Sequence, residues 1–267
     1  MVSILRRNSN DPFVKLLAEH NLSLLRPPSE KEAVGDLHVY SGGKTSTQGK
    51  ITYLLDPPLE MPPLITGESL PDFSGSTAAT MSFKQGFSLF EGIFNALKIG
   101  GISGKAKVNY EKAKAKQIKF SFSKVTKDRV DVFELGSRLE EPEFRVKNPF
   151  YDAKSEYHLV TAVARSPSFG IRVEGKDGQA LSAGVELPKI IESSTDVSVK
   201  ETSDNEIVAK GKKLVFGIQT YLMRYDPKKQ RLSFLPSGII PVGAKEKPKL
   251  EPSFIGGPNG SIFVDLG

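Results

Sequence analysis

The 267-residue chain has no cysteine, no tryptophan and only three histidines. Without cysteine there can be no disulfide, cysteine–zinc site, thiol nucleophile or S-acylation, a pattern that suits a reducing cytosol. The histidines, His20, His38 and His158, are far apart in sequence, with no second histidine at metal-ligand spacing, so no zinc site is expected and each reads as an ordinary helix or strand residue. No stretch of ~18 apolar residues exists to cross a bilayer as a helix. The N-terminus lacks the apolar run of a signal peptide, and Val2 rules out myristoylation. A β-barrel is untouched by these absences, because its strands of ~10 alternating residues leave a much weaker trace.

Catalytic patterns are missing too. Gly43-Lys44-Thr45 resembles the end of a phosphate loop, but the glycine needed five residues earlier is His38. Gly101-Ile102-Ser103-Gly104 lacks the spacing of a nucleophile elbow and reads as a hinge. Carboxylates such as Glu140, Glu141 and Glu143 sit in mixed-charge runs that suit a solvated face. The expectation is a protein that is not an enzyme, with no cofactor and no metal.

What is present is a soluble composition, 38% hydrophobic and 25% charged, in a chain long enough for a sizeable core. Asp11 caps a first helix running toward Arg26, with Pro12 at its first position and Phe13, Leu16, Leu17 and His20 on one face; Leu22, Leu24 and Leu25 read as a short strand leaving it. Strands are predicted at 37–40, 51–55, 129–135, 156–164, 169–174 and 180–187, the last after a Lys176-Asp177-Gly178-Gln179 turn. The proline-rich stretch from Asp56 to Pro71 predicts a long loop. A short exposed helix is expected over 137–147 and a helical turn over 188–194. Hairpins follow at 196–210 and from Lys213 through Asp226-Pro227-Lys228-Lys229 to Leu235. The fold class is α+β, a twisted, mostly antiparallel sheet with several short helices.

One segment stands apart. Phe83, Phe87, Phe90, Phe94 and Leu97 fall on one helical stripe. After the breaker formed by Gly100, Gly101 and Gly104 the period becomes extended: Ala106, Val108 and Tyr110 alternate with Lys105, Lys107 and Asn109, then Ile118, Phe120 and Phe122 with Lys119, Ser121 and Ser123. The phase slips across 111–116, where a bulge or break is expected. Residues 105–127 hold eight lysines against one acid, more positive charge than the +6 of the whole chain. An edge protected by lysine would need less. A nucleic acid would use these lysines for phosphates and the aromatics for stacking; a membrane would use them for anionic headgroups and the apolar alternation for lipid. The phenylalanine-rich helix favours the membrane, and no nucleic acid is expected.

Several stretches in order resemble the gasdermin family of pore-forming proteins: Asp11-Pro12-Phe13-Val14-Lys15-Leu16-Leu17, Asn21 to Pro27, the helix at 83–97 with its glycines, Ala113 to Phe122, Tyr157 to Ala164, and Leu214 to Gln219. The likeness looks closest to the gasdermin-like regulators of cell death in fungal allorecognition; a bacterial-type protein activated by proteolytic removal of the C-terminal tail is the alternative. The lipidated cysteine of bacterial members is absent. The resemblance implies that residues 1–235 form the pore-forming domain, with 236–267 a tail on the body and no separate inhibitory domain. It implies a cytoplasmic inactive form and an active form at the plasma membrane. Its partners would be acidic phospholipids, copies of itself in the pore and, in allorecognition (heterokaryon incompatibility), a divergent allelic homologue. Two hairpins would insert, mapped to 105–135 and 156–187. Lipid-binding candidates are Arg6, Arg7, Lys15, Lys105, Lys107, Lys112, Lys114, Lys116 and Lys119. Membrane-inserting candidates are Ile118, Phe120, Phe122, Tyr157, Leu159, Val163, Phe169, Ile171 and Val173, with Gly100, Gly101 and Gly104 as hinge.

Overall fold

The computed structural model describes residues 12–41, 44–73, 80–97, 102–141, 143–146, 155–184, 197–234 and 263–265. In chain order the elements are α1 (Pro12–Glu19), β1 (Ser23–Ser29), β2 (Asp36–Ser41), β3 (Lys44–Lys50), α2 (Ile51–Leu54), β4 (Leu55–Asp56), β5 (Ile65–Ser69), β6 (Thr80–Ser82), α3 (Phe83–Ala96) and α4 (Ile102–Lys112). They continue with β7 (Gln117–Ser123), β8 (Thr126–Arg129), α5 (Val132–Leu139), β9 (Arg145–Val146), β10 (Glu156–Glu174), β11 (Ser198–Glu201), β12 (Glu206–Asp226), β13 (Arg231–Phe234) and β14 (Phe263–Asp265).

Strands β10 and β12 organise the sheet. At roughly 3.3 Å per residue each reaches about 60–70 Å, and they pair antiparallel from Tyr157↔Met223 to Arg172↔Glu206. Register shifts between Val160 and Ala162, Ala164 and Arg165, and Ser166 and Ser168 interrupt the pairing. Each inserted residue turns the faces of the strand over, so one strand can serve several cores. The sheet path runs β14-β1-β12-β10-β2-β3 and curls until β14 approaches β3. Strands β7 and β8 also pair with β10, carrying β6 and β5 on their outer sides. Only β14 on β1 is parallel among the described pairs. Prolines 27 and 28 have no N–H to donate, and β1 shifts register on β12 between Leu24 and Ser29, the stretch that contains them.

The largest core lies between the β7–β10–β12 face and the helices α1, α3 and α4. Helix α3 buries Phe87, Leu89, Phe90, Ile93 and Phe94, with Leu97 buried just past its end, a wider version of the expected stripe. It comes so close to β1 at Gly92 that a Cβ there would lie 2.9 Å from Pro27. A second core gathers Leu37, Ile51, Leu55, Leu135, Leu139, Tyr157, Leu159 and Met223; a third gathers Leu25, Val160, Val163, Val215 and Ile218.

Several expectations are corrected. The alternation at 105–110 is helical: Ala106 and Tyr110, four residues apart, are buried, while Val108 is 48% exposed. The phase slip at 111–116 is the end of that helix, with Lys114 at φ 57° turning the chain into β7. Gly104 lies inside α4 rather than between helix and strand, and Gly100 and Gly101 lie outside the described residues. The first helix stops at Glu19, with Asn21 at φ 57° turning into β1. The hairpin partner of β2 is the polar β3, while 51–55 forms a helical turn and a two-residue strand paired with β9. The loop at 56–71 contains β5. The expected strand at 129–135 ends at Arg129, because the Asp131 carboxylate accepts from the backbone N–H groups of Phe133 and Glu134 and caps α5; the exposed helix predicted for 137–147 therefore ends at Leu139. Segments 156–164 and 169–174 are one strand, and the return strand at 180–187 is reduced to a bridge between Glu174 and Ala180, with 185–187 and the turn at 188–194 outside the described residues. The hairpins β11–β12 and β12–β13 form as expected.

Candidate membrane-inserting surface

Burial alternates strictly along β7: Ile118, Phe120 and Phe122 are buried, while Gln117, Lys119, Ser121 and Ser123 are half-buried. The pairing Ile171↔Phe120 and Phe169↔Phe122 continues this onto β10, where Phe169, Ile171 and Val173 join the same core. Ile207 and Ala209 extend the apolar face onto β12. Phe122 stands at its centre, stacked on Phe13 at 5.3 Å and Phe216 at 4.2 Å and edge-on to Phe169 at 5.5 Å.

The other face of the same strands is polar. The Glu174 carboxylate, 1% exposed, accepts from Lys119 Nζ at 2.8 Å, Arg172 Nε at 3.0 Å and Gln117 Nε2 at 2.7 Å. Burial alone would raise its pKa, but the Lys119 and Gln117 hydrogen bonds, with the charges of Lys119 and Arg172, hold it below the ordinary carboxylate value. Ser121 Oγ donates to Glu206 Oε1 at 3.1 Å across the strand between them. That crossing fixes Gly170, because a Cβ at 170 would collide with the Ser121 hydroxyl and the Glu206 carboxylate.

Of the inserting candidates, Ile118, Phe120, Phe122, Phe169, Ile171 and Val173 form one surface. Tyr157 and Leu159 belong to the second core and Val163 to the third. The bulge at Thr161 turns Val163 to the face opposite Tyr157 and Leu159, breaking the alternation that an unbroken strand would have carried through. Of the lipid-binding candidates, Lys15, Lys105, Lys107, Lys112, Lys114 and Lys116 are exposed on α1, α4 and the turn after α4. Lys107 also sits over the Phe87 ring at 5.7 Å. Lys119 is engaged by Glu174 on the polar sheet face instead, and Arg6 and Arg7 lie outside the described residues. The α3 phenylalanines, which favoured a membrane, are core residues in this conformation: Phe87, Phe90 and Phe94 are buried and Phe83 is partly so.

Sequence reasoning missed the cluster of Glu174, Glu206 and Gly170, and also a histidine pair. His38 and His158 face each other across β2 and β10, both fully buried. His38 Nε2 lies 2.9 Å from Glu32 Oε1 and His158 Nε2 lies 3.3 Å from Glu156 Oε2. Among the described residues no group of three or more His, Asp or Glu could hold a metal ion.

A sequence model described as the Bacterial Gasdermin Family matches residues 25–231, most of the chain. The chain belongs to this family. The gasdermin is 23% identical over 221 residues to a gasdermin of Vitiosangium sp., covering 79% of this chain and 80% of the relative. It is 25% identical over 179 residues to a gasdermin of Gillisia limnaea, covering 64% of this chain and 65% of that one. The structure of a bacterial gasdermin from Bradyrhizobium tropiciagri shares its fold, with a TM-score of 0.66 at 17% identity over 97% of this chain and 98% of the other. These relatives are bacterial, which points away from the closeness to fungal proteins expected from sequence. Membership makes this a pore-forming gasdermin rather than an enzyme.

Proposed function

We propose that this gasdermin binds acidic phospholipid, assembles with copies of itself and inserts strands as a β-barrel that permeabilises the plasma membrane and kills the cell. The observation that supports this most strongly is the two-faced β7–β10 surface, apolar under the helices and polar on the other side. A barrel wall has that pattern, with lipid on one face and water on the other. Here the helices take the place of lipid. Uncovering side chains such as Phe120 or Ile171 to water costs about 1.5–3 kcal/mol each, so α1, α3 and α4 leave only where lipid replaces them.

The seven residues of β7 fall short of the ~9–11 needed to cross the hydrocarbon. Residues flanking β7 therefore join the strand on insertion. Exposed Lys105, Lys107, Lys112, Lys114 and Lys116 draw this part of the molecule to anionic headgroups. Inserted strands leave bare edges unless neighbours pair with them, so assembly and insertion are coupled. The partner is a second copy of the chain; the bacterial relatives lend no support to an allelic homologue as trigger. The protein is soluble in the cytoplasm before activation and at the plasma membrane after it.

Dye release from vesicles tests the reading. Release is expected with acidic lipid and not with neutral lipid, from the full chain or from one ending at Leu235. No release from either protein on either vesicle overturns it.

A further inference from the structure

Residues 56–72 carry four acids, Asp56, Glu60, Glu68 and Asp72, and no base, yet lie beside the most basic part of the chain. This strap is anchored at its ends: Leu59 and Pro62 are buried at one, and Phe73 at the other, where it bridges Phe122. Between the anchors, residues 63–69 are exposed without a break, including Leu64 and Ile65 at 51% and 43%. There β5 pairs with the outer edge of β8, with Ile65↔Arg129, Glu68↔Lys127 and Ser69↔Thr126. The pairing is irregular, since a one-residue bulge at Gly67, φ 71°, interrupts it.

Besides a backbone bond from the Leu70 N–H to the Val125 carbonyl at 3.1 Å and one from Arg138 Nη1 to the Glu60 carbonyl at 2.9 Å, the strap is tied by surface carboxylates. Arg129 Nε lies 2.8 Å from Glu68 Oε2, the Gly67 N–H donates to Asp128 Oδ1 at 2.9 Å, and the Lys124 N–H donates to Asp72 Oδ1 at 2.7 Å. An exposed pair such as Arg129 and Glu68 holds weakly and yields to screening. Beneath the strap, burial pushes the Lys127 ammonium below its ordinary pKa, Glu68 pulls it back up and Arg129 pushes it down.

We propose that β5 is a removable cover over the edge of β8, and that the strand replacing it belongs to a second copy of this chain. The inference rests on the pore-forming reading. Strand β8 has β10 on one side and β5 on the other. A strand at a subunit boundary of a closed barrel must pair with its neighbour, and it cannot while the strap fills that edge. An anionic surface attracts Lys124, Lys127 and Arg129 and repels the acids of the strap, so binding to acidic lipid pulls the two apart. The edge opens at the membrane, where a second copy is at hand, and stays covered in solution, where an open edge would invite aggregation.

The absence of cysteine makes the test clean. Glu68 and Lys127 are register partners, and antiparallel partners stand about 4.5–5.5 Å apart at Cα, within the range a disulfide accepts. Glu68→Cys/Lys127→Cys is compared, oxidised and reduced, with wild type on acidic vesicles. The oxidised protein should bind the vesicles, form no detergent-resistant oligomer and release dye at least tenfold more slowly; dithiothreitol should restore both. An equivalent staple across β12 and β13, Arg224→Cys/Ser233→Cys, should leave release unchanged. Equal release from oxidised and reduced strap variants overturns the inference while leaving the pore reading intact, as does equal loss with the β13 staple. No release from wild type overturns the pore reading and the inference with it.

Discussion

Replacing Phe122 with leucine separates what the folded protein needs from what a pore needs. In this structure Phe122 is fully buried and meets Phe13, Phe216 and Phe169 at ring-centroid distances of 5.3, 4.2 and 5.5 Å. Aromatic pairs contribute about 0.5–1.5 kcal/mol beyond their buried area, and neighbouring contributions do not add in full. Leucine keeps the side chain apolar and removes these ring contacts, so the fold should lose about 1–3 kcal/mol. For a chain of this size that lowers Tm by about 2–12 °C. Lipid asks only for an apolar side chain at this position, so the inserted state should be nearly unaffected. The gap between the two states therefore shrinks, and at a factor of ten per 1.4 kcal/mol dye release should accelerate by up to about 5- to 150-fold. Thermal unfolding followed by circular dichroism and release from acidic vesicles measure the two effects on one preparation. A variant that melts lower and also releases more slowly refutes the reasoning, since the inserted state would then need the same stacking.

Gly170→Ala should lower Tm and leave a poorly folding protein, because its Cβ meets the Ser121 hydroxyl and the Glu206 carboxylate; combining it with Glu206→Ala should recover part of the loss. Acid should weaken the fold through His158, whose pKa is lowered by burial and, less strongly, by His38, against the hydrogen bond and charge of Glu156. A histidine depressed when folded contributes stability that is whole above its unfolded value and declines as pH falls below it, so chemical denaturation midpoints should drop below pH 6.5 and His158→Phe should flatten that decline. Glu32, hydrogen-bonded to His38, and Glu156 lie within the same cluster, and a pH profile with no break near 6.5 contradicts this. Substituting Lys105, Lys107, Lys112 and Lys114 together by glutamine should abolish vesicle sedimentation at ~0.15 M salt with little change in Tm, since all four are exposed.

How far the sequence disclosed this molecule depended on whether local pattern and tertiary setting agreed. Strand β7 and helix α3 were readable because one face of each meets a core over its whole length, so period and burial coincide. Helix α4 was misread for the opposite reason. Its Ala106 and Tyr110 satisfy a period of two and a spacing of four alike, and burial of Tyr110 against Phe83 and Phe90 favours the helix. Helix α5 was readable in principle, because Asp131 and Glu134 have the spacing of a capping box, but the apolar run through Val132 and Leu135 suggested a strand. The inserting surface was legible on β7 and on β10 from Phe169 to Val173. It was lost at Val163, where a bulge at Thr161 turns the strand over and nothing in the local sequence announces it, and at Tyr157 and Leu159, which lie farther along β10 against the second core. The pairing of His38 with His158, 120 positions apart, is a matter of topology alone.

The central claim is that the face of β7 turned to α1, α3 and α4 in this structure meets lipid in the pore. Single cysteines at 118 through 123, labelled with a polarity-sensitive fluorophore on acidic vesicles, test it directly in a chain with no cysteine of its own. The account predicts alternation: emission shifted to the blue and quenched by lipid-borne quenchers at 118, 120 and 122, and water-like emission at 119, 121 and 123. Emission that does not alternate, or labels at 120 and 122 that lipid quenchers never reach while dye is being released, would contradict it.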